Sequence, residues 1–229
     1  MQLLNLHKQY EYPVSLNSDG YRAPEWQDID WNESVLLFGT SQTFGVGCDF
    51  EDTVGYLLEQ QLQSPVINLS QPAISKWFHI HNAETILREG HNPKQVIMTW
   101  SPSSRIDMFT EKGVMKFGSW ILPETIKDGL ERVPEPTKET FSPGYPHQFY
   151  TFWNHSDLNI KTYSNWAKKL FNSLWKCPVI DFAYGSYDSE LFEAKHLPDV
   201  SDFPDKAKDG VHGGKQTNKY IVDLILKQL

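Results

Sequence analysis

Only 2 cysteines, Cys48 and Cys177, occur in 229 residues. A disulfide scaffold is therefore excluded as the source of stability, and a reducing compartment is the better fit. No apolar run approaches the roughly 20 residues that a membrane-spanning helix needs. The first fifteen residues, MQLLNLHKQYEYPVS, lack the basic start, apolar stretch and small-residue cleavage site of a secretory signal. A cytoplasmic protein without membrane insertion is the expectation, although a protein released by cell lysis would look the same. Basic residues are also scarce: 21 Lys and Arg face 29 Asp and Glu, for a formal net charge of -8. No basic face is available for a phosphate backbone, so no nucleic-acid partner is expected.

Metal and cofactor signatures are missing as well. His79 and His81 would point about 200° apart on a helix and could not chelate one ion. No third ligand stands at a diagnostic spacing, so no metal is expected. The stretch TSQTFGVG, Thr40–Gly47, precedes a helical pattern. It has neither the Lys-Ser/Thr of a P-loop nor G-x-G-x-x-G, and no cofactor is expected. There is no internal repeat and no low-complexity tract.

What the chain does have is 39% hydrophobic residues, with 8 Trp, 10 Tyr and 13 Phe. That composition suits a compact core with aromatic-lined surface features. Residues 1–33 read as an extended lead-in. SVLLF then reads as a strand covered on both faces. A helix follows over Val54, Leu57, Leu58 and Leu62, with Asp49 or Asp52 as its cap. PVINLS is the second strand. ISKWFHIHNAETILREG is a helix carrying Ile74, Trp77, Phe78 and Ile86 on one side, with Gly90 at its C-terminal end. QVIMTW is the third strand. Residues 157–175 are helical, PVIDFAYG is another strand, and a polar Asp- and Pro-rich loop leads to a turn and a C-terminal amphipathic helix. Strands alternating with helices predict an α/β fold: a three-layer α/β/α sandwich around a mostly parallel sheet. One domain spans 1–229, interrupted at about 107–155 by an irregular insertion with five prolines and no sustained period.

In such a sheet, ligands bind beyond the carboxyl ends of the strands. Ser41 stands just past the first strand, where its hydroxyl is exposed and several backbone N–H groups converge. A serine hydroxyl needs a base. His212, in Asp209-Gly210-Val211-His212, is the candidate. The carboxylate three residues ahead, on a glycine-containing turn, can fold back onto Nδ1 and free Nε2 for a serine. Alone, Ser41 reads as a turn or capping residue, Asp209 as a turn-former and His212 as a surface histidine; the three stand or fall together.

On these residues the chain resembles the SGNH (GDSL-type) hydrolases. Their first block, G-D-S-x-x-x-G, corresponds to Gly39-Thr40-Ser41-Gln42-Thr43-Phe44-Gly45, and their last block, D-x-x-H, to Asp209–His212. NSDGYR, Asn17–Arg22, resembles the N-x-x-G-[FY]-R often found upstream. The resemblance implies a Ser41–His212–Asp209 triad. It also implies an oxyanion hole from the N–H groups of Ser41 and the second-block residue, here Ala73 in place of glycine. The third-block asparagine donor has no equivalent in TWSPSSRID, where Ser101, Ser103 or Arg105 could substitute. Loss of one oxyanion donor costs about 2.7–4 kcal/mol. Thr40 replaces an aspartate that is not the triad acid. The α/β-hydrolase alternative lacks its G-x-S-x-G elbow, because Thr43 occupies the last glycine position. The resemblance thus implies an esterase acting on a carboxylic ester, an O-acyl group on a carbohydrate or a lipid-like ester, with the oligomeric state left open. The altered second and third blocks keep a second expectation alive: a catalytically weak or inactive SGNH-like binding or structural module. Such domains also resemble proteins encoded by tailed phages.

Overall fold

In the computed structural model, described over Leu3 and residues 14–110, 113–118 and 156–229 (backbone only for 108–110 and 113–117), the apolar runs become strands. In chain order the elements are β1 (Val35–Phe38), α1 (Ser41–Phe44), α2 (Val54–Leu62), β2 (Val66–Asn68), α3 (Lys76–Arg88) and β3 (Gln95–Trp100). Then come β4 (Ile106–Thr110), β5 (Gly113–Phe117), α4 (Asp157–Leu174), β6 (Val179–Tyr184), α5 (Ser186–Phe192), β7 (Lys195–Leu197) and α6 (Lys215–Leu226). Five strands form one sheet in the order β2-β1-β3-β6-β7. Every neighbouring pair in it is parallel, as the alternation of strands and helices predicts.

Side chains alternate across a strand, so VLLF serves two cores at once. Leu36 and Phe38 pack with Ile80, Ala83 and Ile86 of α3 and with Ala167 and Phe171 of α4. Val35 and Leu37 pack on the other face with Val54 and Leu58 of α2 and with Ile221, Val222 and Ile225 of α6. Helices thus cover both faces, which is why β1 tolerates no polar residue.

Several local expectations change. Helix α2 is capped by Thr53, whose hydroxyl accepts the Tyr56 N–H at 3.3 Å. A 3-10 turn over Phe50–Asp52 intervenes, and Asp49 and Asp52 pair instead with Lys208 and Lys215. Ile74 lies ahead of α3, which Ser75 caps by accepting the Trp77 N–H. Trp77 is only partly buried, whereas Phe78 and Ile86 are in the core, and Gly90 takes φ +84° just past the helix. The polar loop expected after β6 holds α5 and β7, elements too short to show a period. Part of the lead-in is folded rather than extended: Tyr21 and Trp31 are core residues. Of the region 107–155, β4 and β5 pair as an antiparallel hairpin, and residues 119–155 lie outside the described residues.

His79 of α3 is fully buried, edge-on to Phe38 and Phe78, with no hydrogen-bond partner on either ring nitrogen among the described residues. Burial pushes its pKa down to about 3. A depressed histidine contributes fully above its unfolded value near 6.5. That contribution falls by about 1.4 kcal/mol per pH unit as the pH drops from there towards 3. H79L is therefore expected to flatten the dependence of unfolding free energy on pH between 6.5 and 4. Urea titrations at each pH would check this, and an unchanged slope would contradict it.

Candidate active site

The order β2-β1-β3 reverses direction at β1. Its first crossover, through α2, leads to β2 on one side, and the second, through α3, returns to β3 on the other. This is the switch point where open α/β sheets bind ligands. The turns after β1, β2 and β3 meet there, carrying Ser41, Ala73 and Ser101 respectively.

The turn after β1 is tight because Gly39 has no side chain: a Cβ there would collide with Thr99 Oγ1 and the Thr43 side chain. Those two hydroxyls lie 2.6 Å apart, and Thr99 Oγ1 also donates to the Phe38 carbonyl at 3.2 Å. Ser41 is the first residue of α1, half-buried, and its hydroxyl has no hydrogen-bond partner among the described residues. The Gly45 N–H closes the single helical turn onto the carbonyls of Ser41 and Gln42, at φ +85°.

The turn before α6 holds the other half. Asp209 Oδ2 meets His212 Nδ1 at 2.5 Å, and Oδ1 accepts the N–H groups of Val211 (3.1 Å) and His212 (3.0 Å). Partial burial pushes the Asp209 carboxyl up, but these hydrogen bonds outweigh it and hold the group below the usual carboxylate range. An Nδ1–H donated to this carboxylate leaves the lone pair on Nε2.

Gln42 joins the two turns, a role with no signal in the sequence beyond its place next to Ser41. Its Oε1 accepts the Gly213 N–H at 2.8 Å, while Nε2 donates to Asn218 Oδ1 at 2.8 Å and the Gly213 carbonyl at 3.3 Å. The residue after the nucleophile candidate thus holds the residue after the base candidate. Lys208 N–H adds a bond to the Gly47 carbonyl at 3.0 Å. The structure brings Asp209 and His212 together and ties their turn to that of Ser41. No hydrogen bond joins Ser41 to His212 among the described residues.

The upstream NSDGYR stretch buttresses this assembly. Asn17 Oδ1 accepts the Asp19 and Tyr21 N–H groups, and Arg22 reaches over the Phe44 ring to donate to the Cys48 carbonyl at 3.0 Å. The Gln71 N–H donates to the Gly39 carbonyl at 3.1 Å, joining the turn after β2 to that of Ser41.

Among the remaining candidates, Ala73 has φ +61°, so it occupies the left-handed conformation that glycine would take freely. For a residue with a side chain this conformation carries a strain of about 1–2 kcal/mol. An alanine at this place in the second block is therefore held in a conformation its side chain disfavours. Ser101 is fully buried at the end of β3, and its hydroxyl has no hydrogen-bond partner among the described residues. Ser103 is engaged elsewhere through its backbone: its N–H donates to Asp188 Oδ1 at 3.0 Å and its carbonyl accepts from Lys76 at 2.7 Å. The described residues hold no group of three His, Cys, Asp or Glu suited to a metal ion. No described helix is long and apolar enough to cross a membrane.

No family model and no curated protein sequence matches the chain. Solved structures do. An acetyl xylan esterase from the rumen bacterium Butyrivibrio proteoclasticus is 11% identical, with a TM-score of 0.47, over 86% of this chain and 64% of its own. A family two carbohydrate esterase from Clostridium thermocellum, solved with cellohexaose, is 8% identical at a TM-score of 0.47, over 86% and 63%. A G-D-S-L family lipolytic protein from Desulfitobacterium hafniense is 15% identical at a TM-score of 0.39, over 84% and 99%. The chain spans just under two thirds of the length of the two carbohydrate esterases.

Proposed function

We propose that the chain is a serine ester hydrolase of the SGNH type. Ser41 Oγ attacks the carbonyl carbon of a carboxylic ester while His212 Nε2 takes its proton. Asp209 holds the imidazole and stabilises the imidazolium. The tetrahedral oxyanion rests on the N–H groups of Ser41 and Ala73, with the Ser101 hydroxyl, which has no hydrogen-bond partner among the described residues, as third donor in place of an asparagine; Ser103 is the weaker candidate, its backbone being engaged elsewhere. His212 then protonates the leaving alcohol, and a water repeats the cycle on the acyl-enzyme. The substrate class is an O-acyl group on a carbohydrate, to which the aromatic-rich composition is suited. The observation that carries this reading is the Asp209–His212 pair, fastened through Gln42 to the turn of a serine at the switch point of a parallel sheet.

A fluorophosphonate probe tests it directly. The wild type is expected to be labelled, and S41A and H212A are not; acylated sugars would then be screened for release of free acid. A folded wild type that takes no label would overturn the reading. It would favour the alternative of an inactive binding module, to which the missing asparagine and the strained Ala73 lend support.

A further inference from the structure

One buried charge is not used by this mechanism. Lys76, the first residue of α3, is 1% exposed, and its ammonium donates to the carbonyls of Ser103 at 2.7 Å and Arg105 at 3.3 Å. A lysine is almost never fully buried without a partner, because desolvating the charge is costly. Here it sits three residues after Ala73 and grips the loop that begins at Ser101. The same two segments are sewn together a second time, by the Ser75 N–H donating to Asp107 Oδ2 at 2.9 Å. The loop after β3 is held from a third side by Asp188 of α5, which accepts the Ser103 N–H at 3.0 Å.

We propose that Lys76 is the positioning residue of the oxyanion hole: its ammonium bolts the turn carrying Ala73 to the loop carrying Ser101, and so sets the spacing of two donors that come from different strands. This rests on the esterase reading above. Lys76 touches no substrate. It acts through the two carbonyls it grips, and it does so best as a cation, since charge-assisted hydrogen bonds are about twice as strong as neutral ones.

The charged groups acting on it are Asp107 on β4 and Asp188 on α5; the gripped loop presents the Arg105 carbonyl, and His79, neutral, stands one turn along the same helix. Burial lowers the Lys76 pKa, and Asp107 and Asp188 pull it partly back, leaving it at about 8. Loss of that proton weakens the grip within the range where enzymes are assayed. A misplacement of about 1 Å in a catalytic constellation can cost a hundredfold in rate.

The test is the rate constant of fluorophosphonate labelling at Ser41 from pH 6.5 to 9.5, with thermal unfolding over the same range. The wild type is expected to show an alkaline decline centred near pH 8 without a matching fall in unfolding temperature up to pH 9, because a neutral amine is easier to bury. K76M is expected to label at least tenfold more slowly and to lack that decline. D188N removes a carboxylate that favours the ammonium, and should move the decline to lower pH. The wild-type profile and the D188N shift leave Lys76 in place, so they decide the matter even where K76M fails to fold. A flat wild-type profile from pH 7 to 9.5, a K76M rate within twofold of wild type, or a D188N decline at the wild-type pH would each overturn the inference while the esterase reading stands. A wild type that takes no label at all overturns both.

Discussion

Asp209→Asn is expected to lower ester hydrolysis about ten-thousandfold in kcat while the protein stays folded, the scale seen when a triad aspartate is made an amide. The reason lies in how the turn holds this side chain. One carboxylate oxygen accepts two backbone N–H groups, from Val211 and His212, and the other faces His212 Nδ1. An asparagine must keep its carbonyl oxygen on the two N–H donors, because its amide nitrogen there would oppose them. The NH2 is then forced towards Nδ1, which has to accept rather than donate. The imidazole proton moves to Nε2, and the atom that should take the Ser41 proton already carries one. The backbone bonds survive, so unfolding should change little while catalysis collapses. Hydrolysis of whichever acylated sugar the screen finds, measured beside thermal unfolding, checks both halves. Activity within tenfold of wild type would mean that His212 is not a base oriented by Asp209.

That this pair could be read in the sequence reflects its locality. A carboxylate three residues before a histidine, with Gly210 at φ +70° between them, closes on itself whatever the rest of the chain does. The central strands were legible for a related reason: a parallel sheet covered on both faces needs near-continuous apolar runs, and VLLF and QVIMTW supply them. Elements lacking such a signature were missed. Helix α5 and strand β7 bury Phe192 and Leu197 in the core but are seven and three residues long, below the length at which a period emerges. Thr53 displaced Asp49 and Asp52 as a cap because those acids were drawn to lysines from the far turn, a tertiary preference that local propensity does not contain. Ala73 is the instructive case: as a residue type it argues against positive φ, and only the surrounding fold imposes +61° on it.

The bond between the two halves of the site is the least local of all, and the last prediction addresses it. Gln42 and Gly213 are 171 residues apart, yet the Gln42 amide makes three hydrogen bonds across the gap and is 6% exposed. Gln42→Ala would leave the Gly213 N–H, the Gly213 carbonyl and Asn218 Oδ1 without this partner in a buried place. A buried group left unsatisfied costs about 1–3 kcal/mol. Some of that is recovered by relaxation, which would carry the His212 turn away from Ser41. The expectation is a loss of about 2–4 kcal/mol in unfolding free energy and of about a hundredfold in labelling rate. Gln42→Glu separates these effects by chemistry rather than size. It keeps an oxygen for the Gly213 N–H but sets a carboxylate oxygen against the Gly213 carbonyl and Asn218 Oδ1. Asn218 cannot turn its amide to help, because its Nδ2 is engaged with the Asp52 carbonyl at 2.8 Å. The glutamate variant should therefore be impaired at neutral pH and recover as its carboxyl is protonated, whereas the alanine variant has no such recovery. Equal labelling rates for wild type and Gln42→Ala would mean that the His212 turn reaches Ser41 without this amide, and that the core and the remaining bonds, such as that from the Lys208 N–H to the Gly47 carbonyl, suffice to hold the two halves in register.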